Sequence, residues 1–425
     1  MPEQTSGKFP EGHSDEPLSF SRGGSLADYA EVRGRLAGSK LLELNDPWFW
    51  DIDKLRDDLA ARGLPLLSFS HYDYLGISDD PRVRSASESA LKTYGTTVSA
   101  SRLVGGERGI HAELERAIAT FVGAEAALVL VSGYLTNATV IGHLLGAKDV
   151  IVYDQFCHNS ILHGIAASKA HAIAFPHNDM DALDRILRDV RKSHARCLIV
   201  GEGLYSMDGD IIDLPKVVEL KHRHQCWLMI DDAHSIGVLG TTGRGVAEHF
   251  GIDPREIDLL IGTLSKSLVS TGGFVAGAAA VIRLLKYTLP GLVYSVGIPP
   301  VSAAAALEAL RILAAEPWRV ARSQALSELF VAEARRRNLD TGPAAGRAVI
   351  PILLNHTEQV IHLSATLAED GIYVPPIVRI GVPKDKPRLR FFVSVRHTEQ
   401  DIARVLDAVA ACLANDSPQR ALAAR

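Results

Sequence analysis

Ile261-Gly-Thr-Leu-Ser-Lys-Ser-Leu-Val-Ser-Thr-Gly-Gly273 places a single lysine, Lys266, among small and hydroxylic residues. The apolar run Leu259-Leu-Ile261 just before it reads as a buried strand, so Lys266 follows a strand's carboxyl end. Lysine is rarely buried without a partner or a task. In a desolvated pocket it gives up its proton more readily and becomes an amine nucleophile suited to Schiff-base chemistry. The hydroxyls of Thr263, Ser265 and Ser267 and the backbone near Gly272 and Gly273 suit a phosphate. A solvated lysine in a Ser/Gly loop would read the same way locally, so other parts of the chain have to decide.

Working outward, apolar runs at 126–131, 149–153, 197–201, 226–231 and 258–263 read as strands. Helical patterns at 81–94 and 110–122, and one opened by Ser132, lie between or before them. Strands separated by helices imply an α/β fold with a mainly parallel sheet covered on both faces. No GxGxxG follows a strand, which argues against a dinucleotide fold. Past Pro299 come two long helices, 301–315 and 321–338, then short strands at 349–354 and 389–395 and a last helix at 399–413. The expected organisation is a lead with helices at 26–38 and 51–63 (residues 1–65), a large domain (66–297) and a smaller C-terminal α+β domain (298–425). Residues 1–25 lack periodicity and read as loosely attached. The tail from Asn415 reads as frayed.

The 425 residues are 47% hydrophobic with a formal charge of −5, a soluble globular composition with no call for nucleic acid. The most apolar run, 272–282, is about half of what a membrane span needs. Four cysteines form no CxxC pair, and no signal peptide is apparent, so a reducing cytoplasm is expected. His222, His224 and Cys226 alternate but lack a nearby fourth ligand, so no metal is assigned.

Polar clusters follow the strands, where ligands sit in open α/β sheets. Ser132-Gly-Tyr134 opens a helix whose backbone N–H groups suit a phosphate. His158 follows one strand and can stack on a flat ring. Asp231 ends another strand, where a carboxylate needs a positive partner. A protonated pyridine nitrogen is such a partner. His234, three residues on, can reach a ring's phenolic oxygen, and Lys266 comes 35 residues after Asp231. An anion, a donor, a phosphate nest and a Schiff-base lysine together are what pyridoxal phosphate requires.

With these residues in place the chain resembles the α-oxoamine synthases, fold-type I pyridoxal-phosphate enzymes. The resemblance covers about 68–413. It is carried by His71-Tyr-Asp-Tyr-Leu-Gly76, Gly95-Thr-Thr-Val-Ser-Ala-Ser-Arg102, Ser132-Gly-Tyr134, Glu202-Gly-Leu-Tyr-Ser-Met-Asp-Gly209, Asp231-Asp-Ala-His-Ser-Ile-Gly237, Gly243-Arg-Gly245 and Thr263-Leu-Ser-Lys-Ser267. The run 98–115 and Leu285-Lys-Tyr-Thr-Leu-Pro-Gly-Leu-Val-Tyr-Ser-Val-Gly297 look most like members associated with polyketide assembly.

The resemblance implies a decarboxylative condensation of an amino acid (Ala, Gly or Ser) with an acyl thioester, giving an α-aminoketone. An aldolase or aminotransferase with the same site, using no thioester, is the alternative. It implies Lys266 as the Schiff-base lysine and Asp231 as partner of the ring nitrogen. His234 and Ser206 fall at the phenolic oxygen, and His158 on the ring. Ser132, Gly133, Tyr134, Thr263 and Ser265 fall around the phosphate. Ser295 matches a position reaching the partner subunit's phosphate, so a homodimer with a shared site is expected. Arg390 matches the arginine that grips the amino-acid carboxylate. Two departures stand out. Asp73 replaces an Asn near that carboxylate and would repel it unless protonated or turned toward an arginine. Gly297 replaces a common serine near the phosphate. Finally Arg379, Lys384, Lys386, Arg388, Arg390 and Arg396 against Asp385 read as a local basic patch, suited to coenzyme A phosphates or to an acidic acyl carrier protein, with the carrier favoured.

Overall fold

The computed structural model describes Leu26 and residues 48–378, 382 and 386–415. The expected lead over 1–25, the helix over 26–38 apart from Leu26, and the tail beyond 415 lie outside the described residues. The chain divides into two compact units. The larger holds 71–351 and 391–406; the smaller draws on 1–70, 352–390 and 407–425.

The larger unit is built on a seven-stranded sheet. Its strands are β2 (Ala126–Leu130), β3 (Val150–Asp154), β4 (His171–Phe175), β5 (Cys197–Glu202), β6 (Trp227–Asp231), β7 (Leu259–Thr263) and β8 (Gly273–Gly277), after a two-residue β1 (Leu67–Ser68) in the smaller unit. The order across the sheet is β2-β8-β7-β6-β5-β3-β4. All neighbours are parallel except β8, which runs antiparallel to both β2 and β7.

Strands covered on both faces read as unbroken apolar runs, and β5 and β7 are buried at every residue. Their alternate side chains feed two cores. Ile199, Leu228, Ile230 and Leu260 pack on one face with Leu114, Phe121 and Leu313. Leu198, Val200, Met229 and Ile261 pack on the other with Val140, Ile161 and Leu285. Helices Pro300–Ala315 and Trp318–Arg336 also belong to the larger unit.

Two strands go beyond the sequence reading. β4 is an edge strand with a weak burial rhythm. β8 is Gly-Phe-Val-Ala-Gly, which has too little β-branched character to stand out from the apolar run around it.

In the smaller unit Asp51 caps helix Ile52–Ala61 by accepting from Lys54 N–H. β1 pairs in parallel with β10 (Ile372–Tyr373), and helix Thr357–Glu369 packs beside β10. A three-stranded sheet has the order β11-β12-β9, from β11 (Pro376–Ile377), β12 (Arg388–Phe392) and β9 (Val349–Leu353). The boundaries between the two units fall inside β9 and β12. No helix of the described residues is long and apolar enough to cross a membrane.

β8 lies so close to the start of helix Gly133–Leu144 that a Cβ on Gly273 would sit 2.4 Å from Gly133 Cα and 2.6 Å from Gly133 N. Gly273→Ala must push that helix start away. Its expected cost is about 1–3 kcal/mol, read as a lower denaturation midpoint at unchanged slope.

Candidate active site

Register decides which side chains meet. Glu202 pairs with Asp231, Asp231 with Ile261, and both Thr263 and Leu130 with Gly273. The carboxyl end of the sheet therefore collects Ser132, Asp154, Glu202, Asp231 and Thr263.

Asp231 is buried, yet both its oxygens are met. Oδ2 accepts from Asn137 Nδ2 at 2.6 Å and Oδ1 from Ala233 N–H at 3.0 Å. The second Asn137 N–H donates to Ser160 Oγ at 3.0 Å. The Ser160 hydroxyl then donates to His158 Nδ1 at 2.7 Å, and Ser160 N–H points at the same nitrogen. Nδ1 is thus an acceptor, which puts the proton of the neutral imidazole on Nε2. One chain of hydrogen bonds runs from Asp231 to the exposed ring of His158.

Lys266 is half-buried, with Nζ 5.6 Å from the centroid of the Tyr72 ring. Its segment is tightly turned. Val269 N–H donates to Lys266 O at 2.9 Å, Ser270 N–H donates to Leu264 O at 2.8 Å, and Val269 holds φ +42°. A β-branched residue there is strained, a state that tends to accompany function. Ser267 Oγ donates to Ile236 O at 2.6 Å, pinning this segment to the loop after β6. In that loop His234 Nδ1 meets the Tyr74 hydroxyl at 2.8 Å. Tyr72 and Tyr74, neither singled out in the sequence, thus bracket Lys266 and His234.

Between them, Asp73 is turned away from any repulsive role. Its oxygens accept from Ile77 N–H at 2.8 Å and Ser78 N–H at 3.0 Å, and it pairs with Arg396 Nε at 3.4 Å.

A phosphate-sized cradle lies where helix Gly133–Leu144 begins. Ser132 caps the helix by accepting from Leu135 N–H. Gly133 has no Cβ, and one would lie 3.0 Å from Thr263 Oγ1. Thr263 Oγ1 donates to Gly272 O at 3.1 Å, so the 2.8 Å contact with Ser265 Oγ has Ser265 as donor. Tyr134 differs from expectation in its side chain. The phenol bonds Asn159 Oδ1 at 2.8 Å and His163 Nδ1, which leaves backbone as what Tyr134 has for a phosphate. Ser206 is buried, its N–H donating to Glu202 Oε2 at 3.3 Å.

Other sequence readings resolve into structure. His222 Nε2 lies 2.6 Å from Glu256 and His224 Nε2 lies 2.7 Å from Asp184, two separate acids. At Gly297 a Cβ would come within 3.0 Å of both Arg102 Cγ and Val98 Cγ2. The glycine makes room for buried Arg102, which pairs with Glu107 and Glu115 at 2.5 Å each. The basic patch needs correction. Arg388 is 1% exposed because it points inward on β12, and Arg396 is committed to Asp73 and Asp79. Lys386 is exposed; Arg379, Lys384 and Asp385 lie outside the described residues. Arg390 lies half-buried on β12, within the smaller unit, and Ser295 is half-buried in the larger.

The aminotransferase class I and II family profile matches residues 65–409. The chain is 38% identical over 348 residues to 8-amino-7-oxononanoate synthase of Symbiobacterium thermophilum, covering 82% of this chain and 88% of that one. It is 36% identical over 361 residues to serine palmitoyltransferase of Sphingobacterium spiritivorum, covering 85% and 90%. Among solved structures, serine palmitoyltransferase from S. paucimobilis with a bound PLP–myriocin aldimine superposes with TM-score 0.79 at 27% identity, covering 86% of this chain and 97% of that one.

The chain belongs to the α-oxoamine synthase family. It is a fold-type I, pyridoxal-phosphate-dependent enzyme of the decarboxylative condensing kind, a C-acyltransferase. The residues present fit the cofactor. A buried anion is held ready by an amide, a cradle is kept open by two glycines, and the Asn137 Oδ1 and Glu202 Oε1 atoms are buried with no protein partner.

One further device holds this α-oxoamine synthase site together. His177 Nδ1 meets Asp154 at 2.9 and 3.1 Å, and Nε2 meets Asp210 at 2.9 Å. The ring stacks on Phe156 at 4.4 Å. One imidazolium thereby ties the loop leading to His158 to the loop that follows Ser206. Burial opposes its charge, but bonds to Asp154 and Asp210 win and push it up to about 10. Because the folded value lies above the ordinary 6.5, the stabilisation is full below about 6.5 and is lost as pH rises toward 10. His177→Gln should cost ~3–5 kcal/mol by stranding two buried carboxylates. Unfolding curves of both proteins should converge between pH 6.5 and 10; parallel curves would refute a charged His177.

Proposed function

We propose that this enzyme condenses a small amino acid (alanine, glycine or serine) with an acyl thioester, carried by an acyl carrier protein or by coenzyme A, releasing carbon dioxide. The observation that carries the site assignment is the buried Asp231 carboxylate, fixed at 2.6 Å by Asn137 on a strand whose neighbour leads into Lys266. When bound, pyridoxal phosphate supplies an aldehyde for amine capture and a protonated ring that draws off the electron pair released at Cα.

The chain's own residues then divide the work. Lys266 Nζ would hold the cofactor as its Schiff-base lysine and, once free, would move the Cα proton. Asp231 keeps the proton on the ring nitrogen. His158, its Nδ1 satisfied by Ser160, would stack on the ring with Nε2–H left for the substrate. His234, steadied by Tyr74, and Ser206 hold the phenolic oxygen. Backbone N–H groups of Gly133 and Tyr134 with the hydroxyls of Ser132, Thr263 and Ser265 take the phosphate. Arg390 takes the substrate carboxylate, on the strength of its motif. Asp73 acts indirectly, by holding the loop that carries Tyr72 and Tyr74.

A homodimer sharing its sites is supported by one surface. Segments 100–104 and 293–297 are bonded together, through Ser101 Oγ to Val293 O at 2.7 Å and Gly297 N–H to Ala100 O at 3.1 Å. They expose Leu103, Val104, Tyr294 and Val296 around Ser295. Such apolar exposure fits cover by a second copy. The buried free thiols of Cys157, Cys197 and Cys226 fit a cytoplasmic enzyme. An acyl carrier protein as donor rests on exposed Lys386 and, by sequence alone, on Lys384.

Lys266→Ala should fold and dimerise, yet lose the visible cofactor band that borohydride abolishes in the wild type. Asp231→Asn should lower turnover by ~100-fold or more, as loss of about 3 kcal/mol implies. Carbon dioxide release, assayed over a panel of amino acids, should require a thioester; turnover of the amino acid without carbon dioxide release points to an aldolase or aminotransferase. Offering one acyl chain on coenzyme A and on a carrier protein should favour the carrier. Lys384→Glu with Lys386→Glu should weaken that preference most at low salt.

A further inference from the structure

Two acids stand side by side at the carboxyl end of the sheet, and the roles above use one. Glu202 ends β5, Asp231 ends β6, and the two are register partners. Such partners on parallel strands project to the same face. Their surroundings are unequal. Asp231 receives a side-chain amide at 2.6 Å and a backbone N–H at 3.0 Å, so its charge is well met. Glu202 is 3% exposed; its Oε2 receives the Ser206 N–H at 3.3 Å, and its Oε1 is buried with no partner. Ionising both of two neighbouring buried carboxylates is costly, and the proton settles on the one that keeps an unmet oxygen. We propose that Glu202 stands in the cofactor-free protein as a neutral carboxylic acid at neutral pH, leaving Asp231 the single fixed anion of this pair.

The groups around Glu202 agree. Burial, then the charge of Asp231, pushes its carboxyl up to about 8, against the pull of Lys266 and of the His158 and Ser206 amides. The Cys157 thiol and Tyr205 phenol, which feel the same carboxyl, are pushed up chiefly by burial and stay neutral. A second buried acid, Asp232, is pushed up to about 7, again by burial, and is the control any test needs.

An ionised Glu202 would place a second negative charge beside the one meant for the ring nitrogen. It would also favour the ammonium form of Lys266 over the amine that must attack. Keeping the proton avoids both. That consequence rests on Asp231 facing the ring nitrogen. The protonation state does not, so the cofactor-free protein is the right sample.

Infrared spectra separate a carboxylic acid from a carboxylate by the carbonyl stretch. At pH 7 the wild type should show carboxylic-acid absorption that titrates away at alkaline pH. Glu202→Gln should remove one component, and Asp232→Asn another. Asp231→Asn should move the Glu202 component to lower pH by removing the like charge.

Thermal unfolding reads the same group independently. The folded value of about 8 lies above the ordinary 4.5, so holding Glu202 folded costs more and more stability as pH rises through that window. Glu202→Gln should therefore gain in Tm over the wild type between about pH 5 and 8, then level off. An infrared spectrum unchanged by Glu202→Gln at pH 7, or a Tm difference independent of pH, overturns the proposal. Should Glu202→Gln fail to fold, the band of Asp232→Asn with and without Asp231→Asn decides, since an unmoved titration refutes it. Failure of the cofactor reading looks different: Asp231→Asn would keep wild-type turnover.

Discussion

A carboxylate at the buried end of a strand is tolerable only when its oxygens are met, and in this protein the Asn137–Asp231 hydrogen bond meets that need. The bond joins a helix that follows β2 to a strand three places away in the sheet. The same amide orients Ser160, and Ser160 orients His158. Three elements that share no sequence neighbourhood are thereby brought to one geometry. A misplaced helix start would disturb the phosphate cradle, the ring-nitrogen anion and the stacking imidazole together.

Parts of this arrangement are written openly in the chain. Lys266, Asp231 and Ser132 follow apolar runs, so their place at strand ends is readable from hydropathy alone. The α/β class follows from the same alternation. Asn137, Ser160 and Glu202 are quieter. Asn137 and Asp231 are 94 residues apart, and nothing local marks Asn137 as a partner rather than an ordinary helix residue. Glu202 was read as one letter of a motif; its isolation appears only once β5 and β6 are set in register. His177 lies in a loop after an edge strand that the sequence hides, so its bridge between Asp154 and Asp210 had no signature.

The two departures from the family pattern also acquire causes. Asp73 is a loop cap and ion-pair partner, and its charge is spent on Ile77, Ser78 and Arg396. Gly297 is a space requirement set by Arg102, whose guanidinium serves two glutamates and the Val129 carbonyl. The basic run near the C-terminus shows the opposite error. Counting charges ignores strand alternation, and alternation turns Arg388 into the interior.

The lone antiparallel strand sets an order of events in time. β2 touches no strand of the sheet except β8, although about 140 residues of chain separate them. A chain emerging from the ribosome can pair β3, β5, β6 and β7 as each appears. β2 has no strand partner until residues 273–277 are made, although the helix from Gly133 already meets Ser160 through Asn137. The anion-binding corner, made from the earliest-synthesised strand of the sheet, thus gains its strand partner only after β7 has been made.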